Sequence, residues 1–508
     1  MKRRTALLAA LMYAAVFLAC IGVLYVLDVL TPPAVPQGET ESGYCREEET
    51  TSQAQASSEP ETWESVPEET QEEREYDPAS GYKSWETTLE GVWTPPAQEA
   101  YEPPTLILAT DLHYQSHAAD DGKGAMEQFV ASCDGKVVEY LPELLDAFMD
   151  EVIEAKPSAL VFSGDITMNG EKLNHLELAK RLKKVQDAGI QVLVIPGNHD
   201  INNPNAAVYL GEQKTQTESI TGEEFYEIYH MYGYDQAFSR DQASLSYAYA
   251  LDEKNWLIML DSAQYDPVNR VEGRIQEATM EWMEGILEQA RQEGCFVLPI
   301  AHHNLMNQSR MYPTQCEMEN GPELVALLET YQVPLFMSGH LHVQRIKKYK
   351  SEPGVGEDAY GIFEIITDAL SIPPCQYGQL VWQEDGSLQY ATKAVDVSAW
   401  AARTGNENPQ LRDFEGWSYE YIKELISAQI RGQIRNLGEE ITDSMAAVYA
   451  QVYMDYYAGR QIVQEEIRDT KGYKWWERNL PDSRMLDEME RMMDDADRDN
   501  NYLVVPGV

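Results

Sequence analysis

The residues best suited to chemistry in this sequence are histidines that stand beside aspartate or asparagine in short polar clusters. Six of the nine histidines lie in such clusters. In chain order the clusters are Asp111-Leu-His113, Gly164-Asp165 with Asn169-Gly170, Gly197-Asn198-His199-Asp200, His302-His303-Asn304 and Gly339-His340-Leu-His342. Carboxylate, amide and imidazole donors together suit zinc, manganese or iron better than calcium or magnesium. The clusters therefore predict a site for transition metals.

Each cluster directly follows a short apolar run that is typical of a buried strand. These runs are Thr105–Ala109, Ala159–Phe162, Gln191–Ile195, Phe296–Ile300 and Pro334–Met337, and a further run covers Trp256–Leu260. Amphipathic helix patterns lie between several of them, for example from Val138 to Val152 and from Leu176 to Val185. Alternating strands and helices predict an α/β domain, whose ligands bind at the carboxyl ends of the strands. We therefore expect the clusters to meet at that edge.

Taken singly, each cluster also has an ordinary structural interpretation. An Asp-x-His pair is most often part of the surface, Gly-Asp is common in turns, and Gly-Asn-His-Asp could cap a helix. His302 and His303 could be one core histidine and one exposed one. On an extended segment, however, residues two apart project to one side, so the donors of an Asp-x-His or His-x-His pair can converge. Five clusters in order, each after a strand, favour a metal site over coincidence.

Together the five clusters resemble the signature of the calcineurin-like metallophosphoesterases: D-x-H, G-D-x-x-x-x-G, G-N-H-[DE], a single His and G-H-x-H. The resemblance extends from about Thr105 to Val397. The stretches "SGDITMNGEKLNHLELAKRLKKVQDAG" and "VIPGNHDINNP" resemble exported bacterial members of this superfamily. The resemblance implies an α/β fold with a two-sheet β-sandwich flanked by helices, in four layers.

The resemblance also implies a centre of two metal ions, either divalent or trivalent, with manganese, iron and zinc left open. One ion would be held by Asp111, His113 and His342, the other by Asn198, His302 and His340, and both by Asp165. His302 is preferred to His303 because it comes first after the strand. His199 would contact the phosphate and protonate the leaving group, and Asp200 would orient His199. These two residues are the predicted catalytic pair.

The implied reaction is hydrolysis of a phosphate monoester or diester by a hydroxide that bridges the two metals. Two alternatives of the same fold are a nuclease and a nucleotide pyrophosphatase. A third alternative, from another class, is a catalytically silent module that binds in the cell envelope. The sequence leaves the substrate and the oligomeric state open.

The N-terminus, residues 1–30, predicts a transmembrane anchor. Basic residues lie within the first four positions, and no charged residue occurs from Thr5 to Leu27, whereas about 20 apolar residues suffice to cross a bilayer. Positive charge stays on the cytoplasmic side, so we expect the chain after Asp28 to lie outside the cell membrane. A cleaved signal peptide and lipidation at Cys20 remain alternatives. All three would export the rest of the chain.

Acidic residues dominate the chain, and they are densest in residues 31–100. That segment has 17 acidic and 3 basic residues and no helical or strand period, which predicts a disordered acidic linker. The whole chain has 39 Lys and Arg against 85 Asp and Glu, a net charge of -46. Because phosphate backbones are bound by clustered basic residues, this charge argues against nucleic acid as a partner. A small phosphoester is the expected substrate.

The remaining chain divides into a predicted catalytic domain, residues 101–400, and a C-terminal helical subdomain, residues 401–508. The segment Gly361–Trp382 predicts two strands that complete the second sheet. Four tyrosines at helical spacing could stack on a base or pack internally; they are Tyr226, Tyr229, Tyr232 and Tyr234. Nothing in the pattern of the helical subdomain decides whether it caps the site or mediates association.

Overall fold

The computed structural model describes residues 103–312, 316–349 and 360–506, all within one compact unit. The predicted anchor (1–30) and the predicted acidic linker (31–100) lie outside the described residues. Among the helices of the described part, none combines the length and the apolar character needed to cross a bilayer.

Short strands alternate with helices through the catalytic region, and one last strand follows the C-terminal helices. The strands are β1 (Thr105–Ala109), β2 (Ala159–Phe162), β3 (Gln191–Val194), β4 (Ala207–Leu210), β5 (Gln213–Gln216), β6 (Ser239–Arg240), β7 (Tyr247–Ala250), β8 (Asn255–Leu260), β9 (Phe296–Ala301), β10 (Leu335–Ser338), β11 (Arg345–Tyr349), β12 (Ile362–Ile366), β13 (Gln376–Trp382), β14 (Leu388–Ala394) and β15 (Tyr502–Val505). The six apolar runs predicted as strands are β1, β2, β3, β8, β9 and β10, with ends that differ by at most one residue.

These strands form two large sheets and one hairpin. The first sheet has the order β15-β14-β13-β1-β2-β3, and β1, β2 and β3 run parallel. The second has the order β11-β12-β10-β9-β8-β7-β6, with β8, β9, β10 and β12 parallel. Strands β4 and β5 pair only with each other. Parallel strands place their carboxyl ends at one edge of each sheet, where the polar clusters follow.

Alternating side chains of β8 show how the layers stack. Leu257 and Met259 belong to the core that the second sheet shares with the first. Trp256, Ile258 and Leu260 belong to a separate core that contains the apolar faces of two helices. A strand that is buried on both faces lies between two apolar layers, so the sheets face each other and helices cover their outer sides.

The helices fall into a catalytic set and a C-terminal set. The catalytic set is α1 (Ala125–Val130), α2 (Leu141–Ala155), α3 (Lys172–Asp187), α4 (Gly222–Tyr229), α5 (Glu277–Glu293) and α6 (Gly321–Thr330). The C-terminal set is α7 (Val397–Thr404), α8 (Pro409–Arg412), α9 (Phe414–Gln433), α10 (Glu439–Tyr457), α11 (Gln464–Asp469), α12 (Lys471–Asn479) and α13 (Arg484–Asp495). Helix α10 packs against α9, α12 and α13, and the apolar core of this set also includes Leu341 and Val343.

Two features of the sheets differ from the prediction. The segment Gly361–Trp382 does not complete one sheet: β12 joins the second sheet, whereas β13 pairs antiparallel with β1 in the first. An apolar run indicates that a strand is buried but not which sheet it joins. The second difference is β15, a strand that follows the C-terminal helices and pairs with β14 at the edge of the first sheet.

Candidate metal centre

The carboxyl ends of five strands, drawn from both sheets, meet at one rim of the sandwich. Asp111 and His113 follow β1, Asp165 follows β2, Asn198 follows β3, His302 follows β9, and His340 and His342 follow β10. Five of these seven side chains are less than 6% exposed as residues; they are Asp111, His113, Asp165, Asn198 and His302. The fold therefore brings all seven predicted ligands to one place, largely out of water.

The first group of donors consists of Asp111, His113, Asp165 and His342. One ligand atom from each lies within 4.8 Å of those of the other three. The Nε2 atoms of His113 and His342 are 3.0 Å apart, and His342 Nε2 lies 3.2 Å from Asp111 Oδ1. Four donors so close together, two of them carboxylates, can hold a single cation.

The second group lies on the other side of Asp165. His302 Nε2 is 3.3 Å from Asp165 Oδ2 and 3.2 Å from Asn198 Oδ1. The rings of His302 and His340 are 5.1 Å apart between centroids. Asp165 Oδ2 also lies 3.9 Å from His113 Nε2. This carboxylate oxygen therefore faces both groups, as a bridging ligand must.

His303 lies next to the second group, close enough to His302 and His340 to form a possible three-histidine cluster. Its two ring nitrogens, however, have other partners: Nδ1 lies 2.9 Å from Ser262 Oγ, and Nε2 lies 3.0 Å from the Val271 carbonyl oxygen. A carbonyl only accepts, so Nε2 carries the proton and the lone pair on Nδ1 faces the serine hydroxyl. Hydrogen bonds thus occupy both nitrogens of His303, and His302 is the better ligand.

Outer hydrogen bonds fix the tautomers of two predicted ligands. Nδ1 of His302 lies 3.0 Å from the Ser163 carbonyl oxygen, and Nδ1 of His342 lies 2.6 Å from Asp134 Oδ2. Carbonyl and carboxylate oxygens accept hydrogen bonds, so both Nδ1 atoms donate and both Nε2 lone pairs point into the centre. Asp134 was not among the residues predicted from the sequence.

The electrostatics of the centre favour cations. Burial raises the pKa of the Asp165 carboxyl, but His302 and His199 lower this pKa by more, so that it lies well below its usual range. Burial lowers the pKa of His302, but the Asp165 and Asp111 carboxylates raise it to about 9. Two buried carboxylates thus attract positive charge, which can be supplied either by protons on the imidazoles or by metal ions that replace them.

The backbone of five of the seven predicted ligands is left-handed rather than extended. Of the ten non-glycine residues with positive φ in the described part of the chain, five are predicted ligands: Asp111, His113, Asp165, His340 and His342. The prediction that Asp111 and His113 converge because they lie on an extended segment is therefore wrong. Tight turns just past the strands bring the donors together, and at Gly197 a Cβ would lie 2.2 Å from Asp165 Oδ1, so only glycine fits there.

His199 lies at the open side of the centre and is not among the ligand groups. Its side chain is 36% exposed, and Nε2 lies 4.0 Å from Asp165 Oδ2. Nδ1 lies 2.8 Å from the Met168 carbonyl oxygen and 3.1 Å from Asn169 Oδ1. The Nδ1 proton is thus held by the segment after β2, and Nε2 faces the space beside Asp165.

The prediction that Asp200 orients His199 is wrong. The Asp200 carboxylate accepts hydrogen bonds from the backbone N–H groups of Ile166, Thr167 and Gly197 and from the Thr167 hydroxyl. It ties the loop after β2 to the loop after β3 and does not touch the imidazole. Asn169 instead contacts His199, and its position in the Gly164–Gly170 cluster was the sequence signal that could have identified it.

The tyrosine cluster of α4 and the turn after it packs internally. Tyr229, Tyr232 and Tyr234 are at most 2% exposed, so they cannot stack on a substrate. His175 is likewise fully buried and contacts the Tyr229 and Thr167 hydroxyls. Of the two interpretations of the tyrosines, internal packing holds for these three.

The residues present fit a pair of transition-metal ions. The donors are two carboxylates, one amide oxygen and imidazole nitrogens, a set that suits zinc, manganese or iron. Asp111 Oδ1 is fully buried and accepts no hydrogen bond, although it lies among histidine nitrogens. A buried carboxylate oxygen without a donor is costly unless a cation neutralises it.

Comparison with protein-family models supports this fit. Residues 104–344, which include all seven predicted ligands, match the model described as calcineurin-like phosphoesterase. This region of the chain belongs to the calcineurin-like phosphoesterases. As a member of this family, the protein is a phosphoric ester hydrolase, and the family implies a dinuclear metal centre.

A second family model matches the C-terminal region of this calcineurin-like phosphoesterase, and solved structures match part of the chain. Residues 396–499 match a model described as the C-terminal domain of cyclic nucleotide phosphodiesterase. Solved structures with similarity to part of the chain include a dimetal phosphatase from Danio rerio, 14% identical, with 57% of this chain and 96% of that chain covered and a TM-score of 0.41. A purple acid phosphatase from yellow lupin seeds is 13% identical, with 57% and 51% covered and a TM-score of 0.36. No curated protein sequence matches the chain.

Proposed function

We propose that this calcineurin-like phosphoesterase is a two-metal phosphodiesterase that acts on a cyclic nucleotide or a closely related small phosphodiester outside the cytoplasmic membrane. The observation that carries the proposal is Asp165, whose Oδ2 atom lies between two groups of metal donors. The diester class is supported by the C-terminal match to a cyclic nucleotide phosphodiesterase domain. The acidic character of the chain supports a small substrate over a long nucleic acid.

In this proposal the side chains divide between two cation positions. Asp111, His113 and His342 would hold one cation, Asn198, His302 and His340 would hold the other, and Asp165 would contribute to both. Bound metals supply the chemistry of lowering the pKa of a water molecule and neutralising charge on phosphoryl oxygens. Because His302 and His342 direct their Nε2 lone pairs inwards, the chain presents these two donors without rearrangement.

His199 contributes a proton in this proposal. Its Nδ1 atom donates to the Met168 carbonyl oxygen, so a proton on Nε2 is available only when the ring is an imidazolium. Nε2 lies on the exposed side of the centre, where the phosphoryl group of a substrate would enter. From there the imidazolium donates a hydrogen bond to a phosphoryl oxygen and then its proton to the departing alkoxide.

The location is proposed from the N-terminal sequence alone. An uncharged run from Thr5 to Leu27 after a basic tip supports export of the catalytic domain, by a retained anchor, a cleaved signal or a lipid at Cys20. Protease treatment of intact cells or spheroplasts that express the full chain tests this. Digestion of the catalytic domain supports export, and protection until lysis refutes it.

The enzymatic proposal is tested with the full chain and added Mn²⁺. We expect turnover of bis-p-nitrophenyl phosphate and of 3′,5′-cyclic nucleotides, with p-nitrophenyl phosphate a poorer substrate. Asp165→Asn should reduce kcat/KM at least about 1,000-fold, since it removes the charge shared by both donor groups. Asp235→Asn makes the same substitution at an exposed Asp–His pair, in which Asp235 lies 2.6 Å from His230; it is the control and should behave as wild type.

Three outcomes would contradict parts of the proposal. Absence of bound transition metal together with no turnover of either p-nitrophenyl ester would refute the enzymatic function. Turnover of bis-p-nitrophenyl phosphate without any turnover of cyclic nucleotides would refute the cyclic nucleotide class and leave a phosphodiesterase of another substrate. Faster hydrolysis of the monoester than of the diester would refute the diester preference.

A further inference from the structure

Asp134 contacts the predicted ligand His342, although it belongs to none of the five sequence clusters. Its Oδ2 atom lies 2.6 Å from His342 Nδ1, and its Oδ1 atom lies 2.6 Å from Lys136 Nζ. The side chains of His342 and Asp134 are only 15% and 18% exposed. A carboxylate that accepts from Nδ1 fixes the rotation of the imidazole and directs its Nε2 atom towards Asp111.

The loop that carries Asp134 is held in turn by the C-terminal helices. The hydroxyl of Tyr453 on α10 donates to the Asp134 carbonyl oxygen at 3.1 Å. The side-chain amide of Gln429 on α9 donates to the carbonyl oxygens of Ala131 and Cys133, both at 3.1 Å. Three backbone carbonyls of one short loop are thus satisfied by side chains of two helices, and these side chains come more than 290 residues later in the chain.

Packing fixes the same loop from a second direction. The Tyr421 hydroxyl of α9 donates to the Lys136 carbonyl oxygen at 3.2 Å. Gly135 has a φ of 102°, and a Cβ there would lie 2.6 Å from Ile422 Cδ1. The turn between Asp134 and Lys136 therefore packs directly against α9, and its position depends on that helix.

We propose that Asp134 is a positioning residue for His342, and that the C-terminal helices build part of the metal centre by holding the Asp134 loop. The proposal rests on the proposed function, since it requires that His342 bind a metal. It gives the helical region a specific role in the chemistry of the catalytic domain. Removing a carboxylate that orients a ligating histidine typically weakens metal binding about 10- to 100-fold.

The first test compares metal affinity in Asp134 variants of the full chain. Mn²⁺ binding is measured by calorimetric titration after chelation, and bound metal is counted by elemental analysis. We expect Asp134→Ala to weaken one of two Mn²⁺ sites about 10- to 100-fold. Asp134→Asn, which keeps an oxygen acceptor of nearly the same shape, should weaken it less. The control Asp235→Asn removes an exposed Asp–His contact of the same length and should leave both sites unchanged.

The second test isolates the contribution of the helices. Tyr453→Phe removes only the hydroxyl that holds the Asp134 carbonyl, so we expect Mn²⁺ affinity at the same site to fall about 3- to 10-fold, as for the loss of one hydrogen bond. Tyr449→Phe is the matched control on the same helix, since the Tyr449 hydroxyl contacts Glu488 rather than the loop. It should bind Mn²⁺ as wild type does.

The outcomes separate this proposal from the proposed function. If wild type binds no transition metal, the proposed function and this inference both fail. If wild type binds two ions and Asp134→Ala and Asp134→Asn both match wild type within twofold, Asp134 is not a positioning residue and the proposed function stands. If the Asp134 variants lose affinity but Tyr453→Phe does not, the role of the helices is refuted. If circular dichroism shows that Asp134→Ala is unfolded, the Mn²⁺ affinity of Asp134→Asn decides the test.

Discussion

Two adjacent histidines, His302 and His303, allow a direct test of which imidazole belongs to the metal centre. Both are fully buried, and both were compatible with the single-His block of the family signature. His302 Nε2 faces Asp165 and Asn198, whereas both nitrogens of His303 are bonded elsewhere. We predict that His302→Ala loses metal and activity, and that His303→Ala keeps both but loses folding stability.

The expected magnitudes follow from what each ring contacts. His302→Ala removes a direct metal ligand, so we expect kcat/KM to fall at least about 1,000-fold, or about 4 kcal/mol. His303→Ala leaves the proton of the buried Ser262 hydroxyl without its acceptor, at a cost of about 1–3 kcal/mol, and opens a cavity. The Val271 carbonyl can turn to water, because this residue is 50% exposed. The total loss of stability should be about 2–4 kcal/mol.

The assay combines three measurements on the full chain. Elemental analysis gives the number of bound metal ions, bis-p-nitrophenyl phosphate gives kcat/KM, and urea unfolding gives the stability. His303→Asn, which is smaller than histidine but keeps a polar group, serves as a milder version of the second variant. If His303→Ala strips a metal ion while His302→Ala retains two, the assignment of the ligands from ring-nitrogen partners is refuted.

Two further predictions concern buried carboxyl groups near the centre. Asp200→Asn should lower the free energy of unfolding by about 2–3 kcal/mol, because an amide has one acceptor oxygen where the carboxylate accepts through two. At saturating Mn²⁺ this variant should keep far more activity than Asp165→Asn. An unchanged free energy of unfolding would contradict the structural role of Asp200. Burial raises the pKa of Glu364 from 4.5 to about 7. The folded state therefore holds this proton more tightly than the unfolded state, and stability should fall by about 3 kcal/mol as pH rises from about 4.5 to about 7. Glu364→Gln should flatten that fall in urea unfolding curves, and an identical pH dependence in both proteins would count against this prediction.

Local patterns were sufficient to predict the strands that carry the centre. Each is an apolar run of four to six residues that ends in glycine or polar residues, so its bounds could be predicted to within one residue. The convergence of the clusters followed because parallel strands end at a common edge. The family resemblance then gave each cluster a predicted ligand role, and the structure places those side chains together.

Long-range contacts account for what the sequence could not predict. Asp134 contacts His342 across 208 residues, and no spacing rule relates a loop aspartate to a histidine that far away. β13 joins the first sheet because it pairs with β1, a choice that depends on the register between distant strands. His199 is oriented by Met168 and Asn169 rather than by the adjacent Asp200, because backbone N–H groups of the loops after β2 and β3 occupy the Asp200 carboxylate.

The left-handed backbone at five predicted ligands is unfavourable, so each ligand loop depends on hydrogen bonds to its neighbours. Each such residue costs roughly 1–2 kcal/mol, so the set costs on the order of 5–10 kcal/mol. Opposing this cost, the Asp111 N–H donates to the Gly164 carbonyl oxygen, the His113 N–H to that of Asp165, and the Gly339 N–H to that of His302. These backbone hydrogen bonds join one ligand loop to the next, so they form independently of the side chains that would bind metal. The fold therefore sets the geometry of the centre, and the loss of one ligand side chain should weaken metal binding while the loops keep their conformation.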